Sequence, residues 1–389
     1  MRITGIVAEY NPFHNGHAYQ LQTVKQDSDG VVCMMSGSFV QRGTIAVTDK
    51  WTRARMALSA GADLVFELPV CYVLSSAEGF ASGAVALFNA TGVIDTLCFG
   101  SESGDIRPLQ KAAMLLESEP EEISIKFKKA LSTGMSYPSA RQKAWKGIID
   151  SDLLSQPNNI LALEYLRALI RTHSPITATT IKRSDHGYHS DTPYGQFASA
   201  SAIRSMMEDA TACRPYLPEA VYEILKQAYD SGDAPLQADK LDTALFSVLY
   251  REGADYLCEI NGITEGLQNR ILSFLPTSST AKDLIEQVKT KRYPYTRLER
   301  ILSGTLLHLT PQICRISPQY VRVLGMNQVG AKILHQMKSA CALPIITKAA
   351  DFDRTNALFQ KDVLATNLSQ LCRPFGLRKS DFTTPPIIL

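Results

Sequence analysis

The sequence predicts an α/β fold, a Rossmann-like doubly wound parallel sheet followed by a mostly helical C-terminal domain. Short continuous apolar runs alternate with helix-spaced segments through the first two hundred residues, the pattern of strands buried on both faces. Beyond about residue 205 the strand signal fades and apolar residues recur at helical spacing. These observations divide the 389 residues into 1–205, an α/β domain, and 206–389, a mostly helical domain.

The elements follow in order. Ile3-Thr4-Gly5-Ile6-Val7-Ala8 reads as a buried first strand, with a loop and then a helix from about Gly16. Val31–Met35 is a second strand ending at Ser36-Gly37, and Trp51–Ala60 a helix. Ala62–Pro69 and Thr96–Gly100 are the third and fourth strands, with a weaker fifth through Thr177–Ile181. Helical spacing marks Pro218–Asp230, Lys240–Arg251, Thr280–Thr290 and Arg297–His308, and Leu343–Thr347 is a late strand candidate. In open parallel sheets ligands sit beyond the carboxyl ends of the strands. That rule selects the loops Glu9–His17, Ser36–Arg42, Glu67–Pro69 and Gly100–Glu102.

Bulk composition excludes several classes. The chain is 45% hydrophobic and 20% charged, with 40 basic and 38 acidic residues, so any basic site must be local. Its eight cysteines are scattered without a CxxC pair, which favours reduced thiols over a metal or disulfide framework. No apolar run approaches the roughly 20 residues of a membrane span. A cytoplasmic protein is expected, with no membrane association and no protein partner called for.

The chemistry concentrates in Glu9-Tyr10-Asn11-Pro12-Phe13-His14-Asn15-Gly16-His17. Two histidines flank a glycine where a strand hands over to a helix, whose first N–H groups and positive dipole end favour phosphate. Imidazole N–H groups aimed at the same point stabilise charge developing on a phosphate during displacement. Walker and Gly-x-Gly-x-x-Gly elements are absent, which points to attack at the α-phosphate. A small-residue loop, Phe197–Ala202, followed by Ile203-Arg204, offers hydroxyls and a guanidinium for the same phosphates. Asp49, Lys50 and Arg53 are candidates for contact with an anionic nucleophile or with pyrophosphate, weighed evenly against a solvated helix start.

HxGH after strand one with a downstream Ser-rich Ile-Arg loop resembles the nucleotidylyltransferase superfamily over about the first 205 residues. A longer series resembles the bacterial tRNA(Met) cytidine acetate ligase family. It comprises Glu9–His17, Phe39-Val40-Gln41-Arg42-Gly43, Asp63–Pro69, Phe99-Gly100-Ser101-Glu102, Gln156–Leu161, Ile181-Lys182-Arg183 and Lys291–Arg297. Ser38 stands where that family is expected to show Asn. The resemblance implies that acetate attacks the α-phosphate of ATP, giving acetyl-adenylate and pyrophosphate. The acetyl group then passes to N4 of the wobble cytidine of elongator tRNA(Met). It also implies an ATP site formed by the loop Val7, Ala8, Glu9, Tyr10, Asn11, Pro12, Phe13, His14, Asn15, Gly16, His17, Ala18, Tyr19 and Gln20. Gly100, Asn158 (or its neighbour Asn159) and Arg183 complete that site. His14, His17 and Arg204 are the expected catalytic contacts, and Mg2+ is expected to accompany the ATP.

Eight basic residues and only Glu299 as an acid lie between Gln287 and His335, with Tyr293 and Tyr295 interleaved. Such a segment suits phosphate contact and base stacking. Lys289, Lys291, Arg292, Tyr295, Arg297 and Arg300 are the expected tRNA contacts. Two other readings compete: a conventional nucleotidylyltransferase acting on a phosphorylated small molecule, and an RNA-binding module without catalysis. The first needs no basic helical segment, and retention of both histidines opposes the second.

Overall fold

The computed structural model describes residues 1–183, 197–376 and 378–389. Its strands are β1 (Ile3–Ala8), β2 (Gly30–Ser36), β3 (Leu64–Leu68), β4 (Thr96–Ser101), β5 (Thr177–Lys182), β6 (Val321–Met326), β7 (Ile345–Ile346) and β8 (Ile387–Ile388). They form one sheet in the order β5-β4-β1-β2-β3-β6-β7, with β8 also on β6. The first five strands are mutually parallel, as continuous apolar runs predict. The alternation within β2 shows why these runs are strands buried twice. Val32 and Met34 enter the apolar layer on one face, and Val31, Cys33 and Met35 the layer on the other.

Helix α1 (Asn15–Lys25) follows β1, and α2 (Lys50–Ser59) lies between β2 and β3. From β1 the chain moves to β2 and β3 on one side, then returns to place β4 on the other. The sheet therefore reverses direction at β1, and a cleft opens between the carboxyl ends of β1 and β4.

The helical character after residue 205 is present in Glu219–Asp230, Asp242–Cys258, Ala281–Val288 and Tyr295–Leu307. Leu245, Leu249, Leu284, Leu298 and Leu302 share a core of their own. The chain does not leave the sheet for good, however. β6 pairs antiparallel with β3, so the division expected at 205/206 follows the secondary structure only as far as residue 320. Arg322, the second residue of β6, hid this strand from sequence reading. A central-strand arginine is tolerable only with partners, and here Glu67 (3.3 Å) and Asp381 (2.7 Å) supply them.

Candidate active site

β1 delivers the chain to the cleft, and the loop Glu9–His14 then turns it into α1. Tyr10 takes a left-handed φ of 49°, and the Asn11–Pro12 peptide is cis. His14 is the N-cap of α1. The Gly16 amide donates to His14 Nδ1 at 3.1 Å, and the His14 amide donates to His17 Nδ1 at 3.3 Å. Backbone N–H groups only donate, so both Nδ1 atoms accept, and each neutral ring carries its proton on Nε2. The rings stack with centroids 3.7 Å apart. Gly16 is required by this fold-back, since a Cβ there would sit 2.9 Å from His14 Cε1.

Burial, reinforced by the Arg183 and Arg204 guanidiniums, pushes His14 down to about 3. Burial, then His14 and Arg183, holds His17 well below its ordinary range. Both histidines are thus neutral Nε2–H donors in a positive field. They can bind an anion without losing a proton to it, the arrangement wanted around a phosphate whose charge grows during displacement.

Arg204 reaches the loop from the short helix Ala200–Ser205 and donates to the Asn11 carbonyl at 2.8 Å. Ile203 beneath it is fully buried in the core that holds Tyr10 and Phe13. Across the cleft, Arg183 lies against Gly100, where a Cβ would be 3.0 Å from the arginine's Cγ and Cδ. Arg183 also donates to Asn158 Oδ1 at 3.1 Å. Asn158 Nδ2 in turn donates to Glu102 Oε1 at 2.7 Å. The same carboxylate accepts the Asn158 and Asn159 amides at 3.1 and 2.7 Å. Glu102 thereby caps the helix Pro157–Arg171. Asn159 is engaged elsewhere, by the Ser103 amide and the Asp152 carbonyl, so Asn158 is the asparagine linked to the cleft through Arg183.

The structure thus gathers His14, Gly16, His17, Gly100, Asn158, Arg183 and Arg204 around one cleft. Other residues of the expected loop lie apart from it or contribute main chain. Tyr10 and Phe13 are core side chains, and the Tyr10 hydroxyl meets Cys33 Sγ at 3.3 Å. Asn15 Nδ2 donates to the Pro215 carbonyl at 3.2 Å, and Tyr19 is 53% exposed on α1. Val7, Ala8, Ala18 and Gln20 are half-buried, and Pro12 is buried.

Asp49, Lys50 and Arg53 are not a solvated helix start: all three are buried and held by protein groups. Asp49 caps α2 through the Trp51 and Thr52 amides. Lys50 is fully buried on Glu67 and Asp381, both at 2.7 Å. Arg53 clamps the ends of β1 and β2 through the carbonyls of Glu9 and Gly37. Ser38 is buried against Thr366 at 3.4 Å.

Sequence reading missed Glu102 and the Glu9–Gln41 link as organisers. The Gln41 amide donates to Glu9 Oε1 at 2.6 Å, and desolvation raises the Glu9 carboxyl against the pull of Arg204, Arg53 and Arg42. Both glutamates lie inside quoted motifs, but a carboxylate beside a phosphate site gives no sequence signal of its own. Among the described residues no group of three or more His, Cys, Asp or Glu could hold a metal. No helix among them is long and apolar enough to cross a membrane.

The basic segment is partly turned inward. Tyr293 is buried, with its hydroxyl on the Thr264 carbonyl, and does not present a stacking face. Arg297 lies over the Tyr293 ring and donates to the Gly262 carbonyl at 3.0 Å. Arg300 donates to the Gln41 carbonyl at 3.4 Å. Lys289, Lys291 and Arg292 stay exposed, Lys289 paired with Glu286 and Arg292 with Glu265, and Tyr295 is half-buried.

The family model for HIGH nucleotidyl transferases matches residues 1–383. The chain is 39% identical to the tRNA(Met) cytidine acetate ligase of Acetivibrio thermocellus, over 96% of this chain and 95% of that protein. It is also 39% identical to the ligase of that name from Thermoanaerobacter sp., over 100% of both. Crystal structures of Thermotoga maritima TmcAL are 34% identical and cover 100% of both chains. One, bound with alpha-thio ATP, has a TM-score of 0.91, and an apo form has 0.93. With its HIGH-type histidine pair at the head of α1 and full-length similarity to these proteins, the chain belongs to the HIGH nucleotidyl transferase family and, within it, to the tRNA(Met) cytidine acetate ligases.

Proposed function

We propose that this protein is an ATP-dependent ligase that activates acetate as acetyl-adenylate and acetylates N4 of the wobble cytidine of elongator tRNA(Met). The observation that carries this reading is the pair of Nε2–H donors of His14 and His17, held neutral beside Arg183 and Arg204 at the head of α1. In the first step an acetate oxygen forms a bond to the α-phosphorus as the bond to the bridging oxygen breaks, releasing pyrophosphate. His14, His17 and Arg204 bind the phosphate oxygens and stabilise their growing charge. Arg183, aligned by Asn158 and Glu102, borders the nucleotide. In the second step the cytidine amine attacks the acetyl carbonyl, AMP leaves, and the amine loses a proton. A magnesium ion would travel on the ATP phosphates with mostly water ligands, since the described residues offer no carboxylate cluster for it. Lys289, Lys291, Arg292 and Tyr295 are the proposed RNA contacts of the helical segment, and Arg297 and Arg300 support that surface from within.

Purified protein incubated with labelled acetate, ATP, magnesium and a tRNA mixture should yield N4-acetylcytidine after digestion to nucleosides. No labelled acetylcytidine in the presence of methionine tRNA would refute the reading.

A further inference from the structure

The connection from β4 to β5 carries two helices, Glu121–Ser132 and Tyr137–Ala144, that the catalytic reading does not use. Between residues 123 and 149 the sequence holds six basic side chains and no acidic one. Without those six the chain's 40 basic residues would fall below its 38 acidic ones. The excess is therefore concentrated in a short stretch, and it is not neutralised internally. Lys126 pairs with Glu122 and Arg141 with Glu164, but Lys128, Lys129, Lys143 and Lys146 are exposed, and their side chains make no hydrogen bond or ion pair among the described residues. Tyr137, 53% exposed, lies beside Arg141 in the same helical pair.

The position of this face in the topology gives it a meaning. Lys146 stands six residues before Asp152, so the two lie within roughly 22 Å of each other. The Asp152 carbonyl accepts from Asn159 at 3.2 Å, at the Glu102–Asn158–Arg183 side of the cleft. That side belongs to β4. The helix Tyr295–Leu307 meets the cleft from the other side, where Arg300 holds the Gln41 carbonyl in the loop after β2. β4 and β2 flank β1 on opposite sides, so two basic segments bracket the nucleotide loop.

We infer that Lys128, Lys129, Lys143 and Lys146 form a second RNA-contacting face, which grips the phosphate backbone of the same tRNA on the β4 side of the active site. The occupant is chosen by charge complementarity: unpaired lysines without bidentate geometry suit a flexible polyanion read by its backbone. The inference rests on the proposed function for the identity of the RNA.

The test uses the full chain. Lysine acylation by an N-hydroxysuccinimide acetate reagent is mapped with and without saturating methionine tRNA, and protection at the four lysines is expected. In parallel, K128E/K129E/K143E/K146E is titrated with the tRNA over a salt series. Affinity should fall about tenfold or more, and the slope of log affinity against log salt should become shallower by about 3, four contacts at ~0.7–0.9 each. Acetate-dependent ATP–pyrophosphate exchange of this variant should match the wild type, which verifies folding. Unchanged lysine reactivity, or an unchanged slope with exchange intact, overturns the proposal. Binding of the wild type to phosphatidylglycerol vesicles without RNA protection also overturns it, by assigning the face to a lipid surface. A wild type that shows the footprint but makes no acetylcytidine refutes the function and leaves this face standing.

Discussion

A proton position carries the chemistry at the scale of single residues. Because backbone amides occupy both Nδ1 atoms, His14 and His17 present Nε2–H to the cleft whatever the solvent does. His14→Ala or His17→Ala should lower acetate-dependent ATP–pyrophosphate exchange about 10²–10³-fold, the usual cost of one preorganised donor, with the far-UV circular dichroism unchanged. The same burial has a stability consequence. The folded-state value of His14 is brought from 6.5 to about 3, so between those pH values the unfolded chain binds a proton that the folded one refuses. Stability is then complete above pH 6.5 and falls as pH drops through the window. In His14→Gln the pH dependence of urea unfolding should be shallower there, by up to about 1.4 kcal/mol per pH unit. An identical slope in the variant would mean that His14 is already protonated in the folded protein. The histidines were legible in the sequence because their spacing and placement after a strand are a local pattern. Of the guanidiniums that bias them, Arg204 was legible from the small-residue loop before it, whereas Arg183 was legible only through the longer resemblance. The burial of Asp49, Lys50 and Arg53 was not legible, because sequence does not show which charges are buried together.

The loop from Phe39 to Gly43 and the helix Tyr295–Leu307 form the most consequential contact between elements. Gly43 has φ of 111°, and a Cβ would come within 2.6 Å of the Arg300 amide. Ser303 donates to the Gly43 carbonyl, and Arg300 to that of Gln41. The Gln41 amide holds Glu9 at the start of the nucleotide loop. One residue, Gln41, thus faces both the nucleotide loop and the helix proposed to carry RNA. Gly43→Ala introduces strain of about 1–3 kcal/mol and should displace the helix. We expect a greater loss in tRNA acetylation than in ATP–pyrophosphate exchange, and equal losses in both assays would deny the joint a role in transfer. On the other side of the cleft, Glu102→Ala removes the cap of Pro157–Arg171, a loss of about 0.5–2 kcal/mol. It also frees Asn158, so the KM for ATP should rise more than kcat falls. Element positions were largely legible, since apolar runs and helical spacing are local. Contacts such as Gly43 with Arg300, more than 250 residues apart in sequence, are not.

The whole molecule is closed by charge as well as by apolar packing. Lys50 of α2, Glu67 of β3, Arg322 of β6 and Asp381 near the C-terminus form one buried cluster. Removing one member leaves the rest uncompensated in a dry interior, and Lys50→Met should cost about 3–5 kcal/mol in urea unfolding. A loss below 1 kcal/mol would show that the cluster is solvated in solution. The antiparallel β6 and the short β8 that pairs with it were both concealed in the sequence, and in the fold this cluster ties β6 to α2 and β3. β6 also sets a schedule for the chain as it is made. A ribosome that has delivered the chain through Arg204 has supplied every residue of the nucleotide cleft. The edge of β3 and the charges of Lys50 and Glu67 still wait for partners more than 250 residues downstream. The catalytic half therefore cannot settle during translation, and a nascent chain stalled at residue 320 should remain protease-sensitive in β3 while the finished protein resists.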